Sequence, residues 1–328
     1  MKIIIAPDSY KGTMTAKEAA VWIEKRLRER YPDAEFRHLP VGDGGEGTAD
    51  AIIGSLPSSA RIEKRYCDTI DPIGRPLEAP YYLIENDGKT YALLESAAAG
   101  GLNLLEPRER NIFKASSQGV GYMIEEAMME ADEIVVCMGG TAFCDGGGGA
   151  LSVLLFTKAD VGSKHFALLC DVDSPYCGPM GAALTFAMQK GASRSQLPIL
   201  EREMQERARK FRDFTGGDVT DEPYAGAAGG LAGMLMAYFE STPVRGINHV
   251  LDMIGFEKEL EDADMVVTGE GRADFSTLAG KAPMGVLEAV KNYCKKSGRE
   301  IPVVLMPGCF EEAAREALEE AGFTFFIE

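Results

Sequence analysis

A short apolar run that stops at a glycine- or acid-rich loop recurs along this 328-residue chain, and it constrains the fold more than any other feature. Residues 2–6 run into 7–12, 35–39 into 42–47, 133–138 into 139–149, 165–170 into 171–175, and 264–268 into 269–281. Helical patterns lie between them. Thr15-Ala16-Lys17-Glu18 reads as a capping box that opens a helix carrying Ala19, Ala20, Trp22 and Ile23, which Pro32 ends. Thr48 is expected to cap the next helix, and others are expected near 117–131, 195–214, 225–239, 282–294 and from 311. Strands are also expected at 301–306 and 323–327. This alternation predicts an α/β chain with a parallel sheet and helices on both faces. Parallel strands share one carboxyl edge, where ligands bind, so loops far apart in the chain can converge.

From 61 to 96 the texture changes. Residues 61–66, 80–84 and 90–95 read as strands, separated by the turn sequences Asp71-Pro72-Ile73-Gly74 and Asn86-Asp87-Gly88. An antiparallel meander is expected there. We therefore expect a discontinuous α/β domain from 1–60 and 262–328, with a mixed α/β domain, 61–261, inserted into it.

Charge removes several function classes. Lys and Arg number 34 against 51 Asp and Glu, a net charge of −17. Nucleic-acid binding needs clustered cations, and an anionic membrane surface would repel such a chain. Apolar runs fall short of the ~20 residues of a membrane helix. The first residues read as a buried strand of a cytoplasmic protein, being too short for a signal segment. Seven cysteines without a CxxC spacing read as reduced thiols. Histidines 38, 165 and 249 stand apart, which argues against a histidine-rich metal site or a Ser-His-Asp triad. His165, inside an apolar run, is expected in the core.

The loops carry the candidate chemistry. Asp8 and Lys11 flank Ser9 and Tyr10 ahead of a helix start; they suit an anionic ligand, or form an ordinary turn. Asp43 and Glu46 sit among glycines and suit Mg²⁺, a proton or a hydroxyl. Residues 139–149 hold six glycines and could cradle a phosphate or merely connect a strand to a helix. Asp171 and Asp173 share a side if strand geometry persists, and hard divalent cations take such oxygens. Residues 269–281 combine Glu270, Arg272, Asp274 and Lys281, and Arg272 suits two-point grip on an anion. No Walker A pattern is present. Together these parts point to a phosphate-handling α/β enzyme.

The same motifs resemble a family. Asp8-Ser9-Tyr10-Lys11-Gly12, Asp43-Gly44-Gly45-Glu46-Gly47, Glu95-Ser96-Ala97-Ala98-Ala99-Gly100, Asp171-Val172-Asp173-Ser174-Pro175, Gln189-Lys190-Gly191-Ala192, Gly226-Ala227-Ala228-Gly229-Gly230 and Gly269-Glu270-Gly271-Arg272 through Gly280-Lys281 appear in order. Their collinearity resembles the bacterial glycerate kinase family of type 1. The resemblance implies ATP- and Mg²⁺-dependent phosphorylation of D-glycerate, with 2-phosphoglycerate as product in many members. It further implies two α/β domains, one flavodoxin-like, with the active site in the cleft between them. Lys11, Arg272 and Lys281 would then hold phosphate or carboxylate groups, and Asp8 or Asp43 would orient or deprotonate the glycerate hydroxyl. Asp171, Asp173 and Glu270 are the expected Mg²⁺ ligands. Ser9, Glu46, Gly139, Gly140, Thr141, Asp145, Lys190, Gly229 and Gly230 are the expected contacts to substrate and nucleotide. A homodimer is compatible with this reading. The chain departs from the family pattern in a shorter 149–165 segment, in Phe143-Cys144 before Asp145, and in its end at Glu328. Two alternatives remain: a kinase of the same fold for another small hydroxy acid, and a non-catalytic ligand-binding paralogue.

Overall fold

Ile3, Ile4 and Ile5 have no exposed surface, as a strand covered on both faces requires. They belong to β1 (Lys2–Ile5), followed by β2 (Glu35–His38), β3 (Arg61–Ile70), β4 (Pro76–Asn86) and β5 (Lys89–Glu95). Next come β6 (Glu133–Cys137), β7 (His165–Cys170), β8 (Ser241–Arg245) and β9 (Met265–Thr268). The last are β10 (Arg272–Ala273), β11 (Val303–Leu305), β12 (Cys309–Phe310) and β13 (Phe323–Phe325). The structure is a computed structural model and describes residues 1–86 and 88–325. It divides into a first unit, Met1–Asp43, Gly47–Ser58 and Gly246–Glu328, and a second unit, Gly44–Glu46 and Ser59–Arg245.

The first unit holds a five-stranded sheet in the order β13-β11-β9-β1-β2, parallel throughout. Counted from β2, this is the flavodoxin-like order, and its switch point lies between β1 and β9. Helix Ala16–Arg30 opens on the expected capping box. The Glu18 amide donates to Thr15 Oγ1 at 3.2 Å and the Thr15 amide to Glu18 Oε2 at 2.8 Å. Such a cap is worth about 1 kcal/mol. The helix buries Ala20, Ile23 and Leu27 against Ile3 and Ile5.

The second unit holds a six-stranded sheet in the order β3-β4-β5-β6-β7-β8. The expected meander is present: β3, β4 and β5 pair antiparallel. From β5 to β8 the pairing is parallel. Asp71 closes the first turn by accepting the Ile73 and Arg75 amides at 3.0 and 2.9 Å. Asp87, expected in the second turn, lies outside the described residues.

Several expectations change. Strand β8 and helix Gly246–Met253 follow a stretch in which no strand is expected. Pro243 interrupts the strand signal, and β8 sits on the sheet edge, where proline is tolerated. The α-helix expected from 225 begins at Leu231, because Ala228, Gly229 and Gly230 take φ of 50, 60 and 90°. Thr48 is the first residue of its helix, and Gly47 holds the cap position. His165 starts β7 with its side chain 41% exposed and 3.9 Å from Glu240, so it is no core residue. The strand expected at 323–327 is present as β13, while Ile327 lies outside the described residues. All seven cysteines are free thiols; five are buried, Cys294 is half-buried and Cys309 is exposed. Among the described residues no helix is long and apolar enough to cross a membrane.

Candidate active site

Three backbone segments run past the ends of β2, β1 and β9 and stay paired. The Val41 amide donates to Pro7 O at 2.9 Å, the Ala6 amide to Val267 O at 2.7 Å, and the Asp8 amide to Gly269 O at 2.9 Å. Pairing beyond the strands carries Asp43, Asp8 and Glu270 to the carboxyl edge at the switch point. Gly269 is required there, because an added Cβ would collide with Met306 O and the Tyr10 hydroxyl. The buried Tyr10 hydroxyl donates to Met306 O. The two-residue pair of β10 and β12 sets Arg272 beside Cys309.

These residues line a cavity of about 640 Å³ within the first unit. Asp8, Asp43, Glu270, Lys11, Arg272 and Lys281 supply its charge, and Ser9 lines it as well. Burial, and then the charge of Asp43, push the Asp8 carboxyl up to about 8, while the Ser9 amide at 2.6 Å and Lys11 oppose the shift. Burial also raises Glu270, against the pull of Thr277 and Lys281. Glu270 Oε1 accepts the Thr277 hydroxyl at 2.6 Å, and Oε2 accepts Lys281 Nζ at 3.2 Å. Thr277 is wholly buried and accepts the Asp274 amide at 3.1 Å. Arg272 is exposed and donates to Glu311 at 3.1 Å, with Asp274 at 3.4 Å. The site thus offers a buried carboxyl that takes and releases a proton near neutrality, beside cations that can face an anion.

Other expected residues gather within the second unit. Lys190 is buried; its Nζ donates to Thr141 Oγ1 at 3.0 Å and Phe143 O at 2.8 Å, and burial lowers its pKa. Asp145 accepts the Ser117, Gly147 and Gly149 amides at 2.9, 3.1 and 3.0 Å. The Gly139 amide donates to Gly44 O at 3.0 Å, and the Gly146 amide to Gly229 O at 3.0 Å. Residues 139–149 are therefore a tied loop rather than a slack connector. Gly140 takes φ of 76°, and Gly230 packs on Gly146 and Tyr176. Glu46 is exposed and accepts the Asn103 amide nitrogen at 2.9 Å. Asp171 and Asp173 are exposed beyond the end of β7, where strand geometry has stopped. Among the described residues no three His, Cys, Asp or Glu side chains are placed to hold a metal ion.

The glycerate kinase family model matches residues 3–164 and 156–328. A glycerate kinase of Bacillus subtilis is 37% identical over 338 residues, covering 94% of this chain and 85% of its own length. A glycerate 2-kinase of Escherichia coli K12 is 35% identical over 323 residues, covering 90% and 83%. A crystal structure from Salmonella typhimurium LT2, of a protein provisionally assigned as glycerate kinase 2, superposes with a TM-score of 0.79. It is 33% identical and covers 98% of this chain and 94% of its own. The chain belongs to the glycerate kinase family. As a member of the glycerate kinase family it is an enzyme of the kinase class. The two matched stretches overlap at 156–164, inside the 149–165 segment.

Among the cavity-lining residues of this glycerate kinase family member, Tyr10 as a wall, Trp22 and Cys309 escape the motif reading, and so does Thr277, which acts on the site from behind through Glu270. Trp22 carries only the signal of an apolar helix face. Thr277 lies seven positions from Glu270, and the intervening turn brings the two together. Cys309 gives no signal, because its neighbour Arg272 is 37 positions away and joined by a two-residue strand pair.

Proposed function

We propose that this chain transfers the γ-phosphoryl group of ATP, with Mg²⁺, to the 2-hydroxyl of D-glycerate, giving 2-phosphoglycerate and ADP. The observation that carries this reading is the convergence of Asp8, Asp43 and Glu270 with Lys11, Arg272 and Lys281 on one cavity at the switch point. The name of the Escherichia coli relative supports position 2.

Asp8 accepts the hydroxyl proton as the oxygen attacks phosphorus, a role suited to a carboxyl that titrates near the working pH. Asp43, beside it, keeps the hydroxyl oriented. Lys11, Arg272 and Lys281 hold the substrate carboxylate and the transferring phosphoryl oxygens. Glu270 fixes Lys281 through their 3.2 Å contact. Lys190 and Asp145 shape the 139–149 loop of the second unit, where Glu46, Gly139, Gly140, Thr141, Gly229 and Gly230 are the proposed ligand contacts, and Ser9 is one in the first unit. Mg²⁺ takes one or two carboxylates together with phosphates rather than a protein cage, and Glu270 in the first unit and Asp171 and Asp173 in the second would each offer it hard carboxylate oxygens. When bound it neutralises charge on the β- and γ-phosphoryl oxygens. The enzyme works inside the cell, in the cytoplasm.

ADP release from ATP and Mg²⁺, with and without D-glycerate, tests the proposal, with the phosphate position read by phosphorus NMR. Glycerate-dependent ADP with phosphate on C2 is expected. ADP formed only with another hydroxy acid would move the assignment to that substrate. Folded protein that binds ATP and releases no ADP with any acceptor would refute the kinase reading.

A further inference from the structure

A three-carbon hydroxy acid is polar throughout, and it leaves part of the first unit's cavity without a purpose. Beside the charged floor stands an apolar wall of Tyr10, Met14 and Trp22. A cavity of about 640 Å³ is also of the size that takes a ligand much larger than glycerate. Trp22 is held in place from two sides. The Arg26 guanidinium lies over its ring at 5.4 Å from the centroid, and the Tyr10 ring meets it edge-on at 6.0 Å. A flat, pre-ordered aromatic surface next to cations suits a ligand with a planar apolar end and a polyanionic end. Among the substrates of a kinase, the nucleotide has that composition.

We infer that the first unit's cavity receives the adenine nucleotide, its base against Trp22 and its phosphates over Lys11, Arg272 and Lys281. This rests on the kinase reading and adds to it: it places the nucleotide on the first unit and names the base wall. Stacking on an aromatic side chain tolerates any base, and its strength grows with the ring area covered, so other purine nucleotides are expected to enter more readily than those of the smaller pyrimidines.

The chain holds one tryptophan, so emission excited selectively at the indole, beyond the tyrosine absorption band, reports on Trp22 alone. The full chain is titrated with Mg·ADP, with Mg·tripolyphosphate and with D-glycerate. Saturable quenching by ADP, with little change from tripolyphosphate or glycerate, is expected. Equal quenching by tripolyphosphate would overturn the base wall, as would ADP binding seen by calorimetry with no change in fluorescence. In steady-state kinetics, Trp22→Ala should raise KM for ATP on the order of tenfold or more, with KM for glycerate unchanged. Trp22→Phe keeps an aromatic wall and should recover most of that loss. A rise confined to KM for glycerate would overturn the inference. Loss of kcat alone, with KM for ATP intact, would do the same. Wild-type protein without glycerate-dependent ADP release would sink the kinase reading, whereas the fluorescence titration still judges the cavity by itself.

Discussion

Replacing Asp8 by Asn tests the electrostatics of the site and the proposed base together. Asn keeps the Oδ1 acceptor for the Ser9 amide and nearly the same volume, and it removes the ionisation. Burial and Asp43 push the wild-type carboxyl from 3.8 up to about 8. The folded value lies above the unfolded one, so the native chain binds more protons than the unfolded chain between them. Stability from this group is therefore full below pH about 4 and is lost as pH rises through about 8. Four units at about 1.4 kcal/mol each set a ceiling of roughly 6 kcal/mol. Relaxation and water entry around a buried ion reduce such figures, so a difference on the order of 2–3 kcal/mol is expected at pH 9. At about 2 °C per kcal/mol, Asp8→Asn should melt roughly 5 °C above wild type at pH 9 and close to it at pH 5. Its kcat should fall by a factor on the order of 10²–10⁴, and wild-type kcat/KM should rise with pH towards about 8. Thermal melts at both pH values and the ADP-release assay decide the matter. The same melting difference at pH 5 and pH 9 would refute the burial reasoning, and near-normal turnover would refute the base role.

Lys281→Ala should lower kcat on the order of 10³-fold in the same assay, by the measure of other phosphoryl-transfer cations, and near-normal turnover would remove Lys281 from the reaction. Thr277→Val deletes the hydroxyl that Glu270 accepts while keeping the shape. Its loss should move the titration profile of the Glu270 carboxyl, followed by NMR of carbon-13-labelled glutamate, to higher pH, and Thr277→Ser should restore it. A profile unchanged in Thr277→Val would show that Glu270 is set by other groups. Gly269→Ala places a methyl against Met306 O and the Tyr10 hydroxyl, so it should destabilise the chain by roughly 3 kcal/mol in urea unfolding; an unchanged midpoint would show that the loop yields.

What could be read before the structure depended on how local the signal is. The capping box of Thr15 and Glu18 spans four residues and needs no tertiary knowledge. The burial of β1 follows from an unbroken isoleucine run. Asp8 and Glu270 are 262 positions apart, yet a general property of parallel sheets brings the ends of β1 and β9 together once the alternation is recognised. Strand β8 is hidden because its proline erases the pattern, and only its edge position makes that proline harmless. The helix near 225 is misplaced for a related reason: small residues look helical, but packing against Phe143 and Cys144 holds Gly229 in the left-handed region. Lys190 and Asp145 show the limit for side chains. The family resemblance points to them as ligand contacts, and the structure gives them protein partners: a buried ammonium with two protein acceptors and a carboxylate holding three amides. Charge is visible in a sequence, whereas the partner that consumes it is not.

The division of labour among the acids follows from topology. Strands β2, β1 and β9 are neighbours, so whatever follows them must share one small volume. Three carboxylates delivered there cannot all stay ionised cheaply. Glu270 lies against Lys281 and a buried hydroxyl, which hold its charge. Asp8 has one amide at 2.6 Å, the pull of Lys11 and almost no solvent, and burial outweighs the first two, so the proton settles on it. A carboxyl in that position is a poor anion and a good proton acceptor, the property a hydroxyl-phosphorylating site needs. On this reasoning the base is chosen by where the strand ends: positions 8 and 43 both hold aspartate, so place in the fold and not residue type separates their roles.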